Sequence, residues 1–329
     1  MNSSNETFYP IDFWLSLYGY PFIQELITTY AITPIWFLSV ILSIFSLFIL
    51  SKNPFSAQPF FSYIRLYVTN TLILSVLALT TFLAFTHKIF IFTNTYEAVF
   101  YSIYVFFTAH NSLILFSSCI EICLIVEKIL YLLPRRFRRI KLMSFKKFFL
   151  SLFILCISVN LPGIFLFETA FADVQLDANT PFRIWYFGLT SFSNSLAGQI
   201  FTYLGYLFRD VLPMISKLLF NSLSVYLVRK YVKNKQRIRR STATSNSNLV
   251  NFDRNQTYVA LVMNLFTLFE HIVSVASFVF YFAYEFETSS LLYTIVLLFI
   301  AMKHLLIFFI LVAFNNLFRG EVNNCFRCC

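Results

Sequence analysis

The chain has 329 residues, of which 58% are hydrophobic, 20% aromatic and only 12% charged, with a mean hydropathy of +0.72. Soluble domains carry roughly 25% charged residues, so there are too few polar side chains here to cover a water-facing surface, which rules out a soluble enzyme. Lys and Arg exceed Asp and Glu by 25 to 15, and six Gly and nine Pro beside 44 Phe exclude disorder and collagen-like structure.

In chain order, residues 1–29 contain no Lys or Arg and hold two glycosylation sequons, at Asn2 and Asn5, which read as an extracellular tail. A helix needs about 20 mainly apolar residues to cross the hydrocarbon core. Seven stretches qualify: 30–50, 61–85, 99–125, 148–167, 199–228, 258–281 and 291–314. They are too long and too uniform for barrel strands, which are about ten residues each with strict alternation. The expected fold is therefore all-α, a seven-helix transmembrane domain over residues 30–314, followed by a short helix and tail over 315–329. With no basic, early apolar leader in view, the first span is expected to act as its own insertion signal. Residues 168–198 read as a loop outside, and residues 229–256, with the polar run 241–248, as a loop inside.

Orientation follows from the cations. With the N-terminus outside, 20 of the 25 Lys and Arg fall inside, only Lys88 and Arg183 fall in outer loops, and Arg209, Lys217 and Lys303 lie within spans. Two basic blocks dominate the inner count, one over 135–147 and one over 229–240. The positive-inside bias explains both without invoking nucleic acid. A third sequon, at Asn255, falls on the inner side and is expected to stay bare.

Several local patterns then stand at meaningful places. Glu127-Lys128-Ile129, with Pro134 and the basic loop after it, closes the third span. Arg209-Asp210-Val211-Leu212-Pro213 lies in the fifth, His304-Leu305-Leu306-Ile307-Phe308-Phe309 in the seventh, and Asn315-Asn316-Leu317-Phe318-Arg319 after it. Together with the topology these resemble the rhodopsin-like G-protein-coupled receptors, in particular divergent invertebrate orphan, chemosensory or peptide receptors. The departures are as plain as the matches. Lys128 stands where that family has Arg, Ser75 is the nearest counterpart of its second-span acid, and no cysteine is placed to bridge outer loops.

The resemblance implies a plasma-membrane receptor with an extracellular ligand and a heterotrimeric G protein as partners, beside the lipid bilayer. It implies ligand contact at His110 and Asn111, Arg209 and Asp210, and Glu270 and His271, and roles in activation or coupling for Glu127, Lys128, Pro213, Asn315 and Arg319. Ionisable groups at membrane depth are costly and usually face the bundle interior; a histidine bonded to a neighbouring helix is the plainer reading of His110, and Glu121 is expected to pair with Lys217 or Lys303. Cys325, Cys328 and Cys329, just after the last span, are candidates for lipidation. The four His are scattered, so no metal site, catalytic residue or cofactor is expected. The rival readings are a ligand-gated seven-helix odorant-type channel and an atypical receptor that does not couple to a G protein.

Overall fold

The computed structural model describes residues 27–53, 55, 59–86, 96–132, 145–177, 180–239, 247–283 and 286–328. The sequons at Asn2 and Asn5, Lys88, Pro134, most of the first basic block and Cys329 lie outside these, as do the side chains of Arg183, Asn255 and Cys328.

The helices are α1 (Thr33–Ser51), α2 (Pro59–Thr86), α3 (Thr108–Leu132), α4 (Phe145–Asn160), α5 (Leu212–Arg239), α6 (Ser247–Ala283), α7 (Phe286–Phe314) and α8 (Asn316–Cys328). Wide π-helical segments lead into α1 at Thr28–Ile32, into α3 at Tyr101–Phe107 and into α5 at Leu207–Val211, the last preceded by a helical stretch Leu196–Tyr206. Among the described residues, six helical runs are long and apolar enough to cross a membrane: Tyr30–Ser51, Phe60–Thr81, Phe145–Phe165, Leu196–Lys230, Tyr258–Val279 and Thr294–Phe314. The chain is a multi-pass helical membrane protein. The expected third span, α3, is a helix but not one of the six. It is the run that buries His110, Asn111, Ser112, Ser117, Ser118 and Glu121 inside the bundle.

The packing is that of a protein dissolved in lipid. On α1, Ser39, Ser43 and Ser46 face inward while Phe37 (55% exposed), Ile41, Ile44 and Phe48 face outward. That polarity is the reverse of a soluble amphipathic helix. Small inward residues let helices approach closely and hydrogen-bond across the interface, as Ser39 Oγ does with Ser75 Oγ of α2 at 2.9 Å. Leu150 on α4 and Leu219 on α5, at 61% and 65% exposed, repeat the outward apolar face.

The helix α3 runs through the middle, touching α2, α4, α5 and α6, while α7 packs on α6, α1 and α2. Two buried clusters fill the interior. One gathers Ile49, Phe61, Leu124, Phe149, Met263 and Leu311 with Phe318 and Val322 of α8, and Cys119 and Cys123 pack against it. The other gathers Ile32, Trp36, Leu74, Ile114 and Ile300 nearer the opposite end.

Three features differ from the sequence expectation. The region read as a loop from residue 168 contains an antiparallel hairpin, β1 (Phe167–Asp177) and β2 (Thr180–Leu189), set in a connection of the otherwise helical bundle. Phe167 sets its ring edge-on to Phe107 at 5.5 Å, which ties the base of the hairpin to the segment leading into α3. The polar run 241–248 is partly helical, because α6 begins at Ser247, and α5 continues to Arg239, well past the apolar limit at 228. Finally, the chain enters α5 through a π-turn. Pro213 has no N–H to give the carbonyl four residues back, and Leu212 N–H bonds instead to Leu207 O, five residues back. A π-turn beside a proline is a common way to rearrange such a ladder.

Candidate functional site

A cavity of about 720 Å³ opens between α3, the end of α4, the helical and π segments leading into α5, α6, α7 and the base of the hairpin. Its apolar wall includes Phe107, Tyr206, Phe278 and Ile300, and its polar wall His110, Asn111, Arg209, Asp210, Glu270 and Ser274. Five of the six residues expected at a ligand site are thus brought to one place. The sixth, His271, lies directly behind them.

The π-turn places the fifth-helix pair. Arg209 and Asp210 are adjacent in sequence, both lie in the π segment Leu207–Val211, and both line the cavity. Arg209 Nε donates to Asp210 Oδ2 at 2.8 Å, and its Nη1 donates to Asn111 Oδ1 at 3.1 Å. Its guanidinium also lies over the Tyr206 ring, 4.8 Å from the centroid. The other Asp210 oxygen accepts from Ser274 Oγ at 3.0 Å and faces His271 Nδ1 at 3.7 Å.

From there a polar chain continues into the bundle. His271 Nε2 lies 3.3 Å from Lys217 Nζ and 3.2 Å from Ser118 Oγ. An ammonium can only donate, so Nε2 accepts and the ring proton sits on Nδ1, toward Asp210. Lys217 Nζ in turn donates to Glu121 Oε2 at 2.7 Å, with both side chains fully buried. A second pair, Lys303 Nζ with Glu270 Oε2, closes at 2.6 Å and is nearly as buried. Of the two partners open to Glu121, the structure selects Lys217.

Lys303, Lys217 and Ser274 were not among the residues expected at the site. For the two lysines a signal existed, since a cation in the middle of an apolar span is a functional-site hypothesis by default. For Ser274 there was none, because a serine in a span is ordinary helix-packing material.

His110 is the exception among the polar wall residues. It is buried and rests against Phe106 at 4.9 Å, but its Nε2 has no hydrogen-bond partner among the described residues. The fourth histidine, His304, is built into the core instead, with Nδ1 2.9 Å from Thr71 Oγ1 and its ring stacked between Trp36 and Tyr67.

Of the residues expected in activation, Glu127, Lys128, Asn315 and Arg319 lie at the other end, while Pro213 stays beside the site. Glu127 Oε2 is buried without a hydrogen-bond partner among the described residues, and Lys128 Nζ lies over the Phe60 ring at 4.4 Å. Pro213 sits at the start of α5, beneath the π-turn. Asn315 caps α8 through Oδ1, which accepts from Phe318 N at 3.0 Å, and Arg319 Nη2 donates to Asn316 Oδ1 at 2.6 Å. Lys52, just past α1, pairs with Glu321 of α8 at 3.3 Å and also donates to Cys325 Sγ at 3.5 Å. The Glu321 carboxylate holds the Lys52 ammonium above its ordinary pKa.

No protein-family model matches the chain, and no curated protein matches it in sequence.

Proposed function

We propose that this protein is a cell-surface receptor of the rhodopsin-like type, which senses a ligand in the cavity between α3, the segment leading into α5, and α6, and signals through a heterotrimeric G protein at the α8 end. The observation that carries the proposal is the row of buried polar side chains from the cavity wall at Asp210, past His271 at 3.7 Å, to Lys217 and its partner Glu121. A ligand shifts a two-state bundle only as far as its contacts differ between the states. Asp210 is where such a difference would enter, since it joins the cavity to ion pairs on α3 and α5. The cation asymmetry supports a plasma-membrane orientation with the N-terminus outside and the hairpin over the ligand. The test is a ligand screen on surface-expressed protein, with second messengers and membrane current read together. A current that persists without G protein turns the reading into the channel alternative.

The topology part is checked independently. Asn2 and Asn5 are expected to carry glycans in cells and Asn255 to carry none, measured as glycosidase-sensitive mobility of single Asn→Gln variants. A glycan on Asn255 with bare Asn2 and Asn5 inverts the arrangement and removes the receptor reading.

The signalling part is checked at the α8 end. The resemblance implies that Glu127 restrains the resting state, so Glu127→Gln is expected to raise ligand-independent second-messenger output. A shift of about 1 kcal/mol in the resting equilibrium is about a fivefold change in the active population. Unchanged basal output at normal surface level means that Glu127 is not the restraint.

A further inference from the structure

We infer that the ligand of this cavity is an amphiphile dissolved in the bilayer, and that it enters sideways through a seam between the end of α4 and the helical segment Leu196–Tyr206. The inference rests on the receptor reading and names the class of ligand and its route.

Among the described residues, α4 packs on α3 and has no extended packing with either Leu196–Tyr206 or α5; only the 3₁₀ turn Leu161–Phe165 that ends it meets Leu196–Tyr206. Both sides of the resulting gap line the cavity, with Val159, Asn160 and Gly163 on one and Phe201, Thr202 and Gly205 on the other. Both sides also belong to runs that are long and apolar enough to cross a membrane, Phe145–Phe165 and Leu196–Lys230. What lies beyond the gap is therefore hydrocarbon. Gly205 marks its width, because a Cβ built there would meet nothing within 4 Å although the residue lines the cavity. Phe201, one turn earlier, also lines the cavity and is still 43% exposed.

At the hairpin end the same seam is covered. Thr190 Oγ1 donates to Phe165 O at 2.7 Å, Gly198 N donates to Ser195 Oγ at 3.1 Å, and the Phe192 ring rests on Phe201 at 6.1 Å. The cover sits so close that a Cβ on Gly198 would strike the Phe192 carbonyl. A solute coming along the seam from water has to displace these bonds, whereas one dissolved in the bilayer meets only the gap. Each methylene of a ligand chain favours the bilayer, so such a molecule is concentrated beside the gap before it binds. Inside, Phe107, Tyr206 and Phe278 offer surface to its apolar part, and the polar wall takes its head. A volume of about 720 Å³ lies within the usual range for small-molecule sites.

The test uses the full chain in lipid nanodiscs and two photoreactive probes: a monoacylglycerol with a diazirine in its acyl chain, and a short diazirine alcohol that stays in water. Labelled residues are read by mass spectrometry of the peptides. Ser277 on α6 and Ile300 on α7 line the cavity and are otherwise buried, so a label there reports entry. The monoacylglycerol is expected to label them and the water-borne probe is not. Gly205→Trp, which fills the open space at the gap, is expected to abolish that labelling, and Gly205→Leu, a smaller plug, to reduce it. The outward residues Phe37 and Ile41 of α1 are the control in the same molecule, since their labelling by the lipid probe is expected to stay unchanged in any variant that assembles. Labelling of Ser277 and Ile300 by the water-borne probe alone overturns the proposal and leaves the receptor reading standing, because the site is then entered from outside. Absence of the lipid label at both residues overturns it, as does a lipid label indifferent to both Gly205 variants at normal α1 labelling. The receptor reading itself falls only with the signalling screen. The comparison of the two probes on the unaltered protein needs no variant to fold.

Discussion

Replacing Lys217 with Met is expected to be the most damaging single change in the bundle. It leaves the Glu121 carboxylate fully buried without its cation, and it removes the neighbour of His271 Nε2 as well. Breaking a buried pair from one side costs about 3–5 kcal/mol, far more than the pair contributes relative to two apolar residues. The measurable result is a large loss of surface-expressed protein and a lower melting temperature for what remains. The double variant Glu121→Gln with Lys217→Met is expected to recover most of both, since no charge is then stranded. If the single variant expresses and melts normally, the pair is not closed in the living protein and the polar path from the cavity is not formed.

Arg209→Gln is expected to come second. The Arg209 side chain is 19% exposed and Asp210 keeps its bond from Ser274, so the loss is smaller, about 1–3 kcal/mol, the usual cost of a charged hydrogen-bond partner removed from a buried group. Surface level is expected to fall, and adding Asp210→Asn is expected to restore it. Arg209→Lys is a poor substitute, because only the planar guanidinium can reach Asp210 and Asn111 at once. Surface level and agonist potency measured on the same cells decide the matter. Normal expression with unaltered potency would place the side chain in water at the cavity mouth.

How much of this could be read in the sequence depends on the kind of signal. Apolar runs of about 20 residues are a one-dimensional signal, so α1, α2, α4 and α7 were legible from composition alone. The ends were less so, because α5 and α6 continue into polar sequence at Arg239 and Ser247, where apolar content no longer marks the helix. The hairpin was missed for a related reason. Phe167–Leu189 carries no short turn pair such as Asn-Gly, and the strands lie in a segment already explained as a connection. At the site, the ionisable residues announced themselves, since each is costly in a span. Their pairing did not. Glu121 had two lysines within reach, and only the packing of α5 against α3 selects Lys217. The joint presentation of Arg209 and Asp210 was also hidden, because adjacent residues on a helix point about 100° apart and their direct contact is set by side-chain reach rather than by spacing.

The two buried ion pairs also constrain how the chain is made. Each lone charge in an entering helix costs about 2.5–3.5 kcal/mol at the membrane centre. Glu270 and Lys303 sit on α6 and α7, which follow one another directly, so those two helices can enter the bilayer together with their charges already matched. Glu121 has no such neighbour. Its lysine is on α5, and α4 with the whole hairpin is synthesised in between. During synthesis α3 must therefore wait with an unmatched acid until α5 arrives, which makes the interval between them the vulnerable stage of biogenesis and α3 the helix whose insertion depends on what comes later.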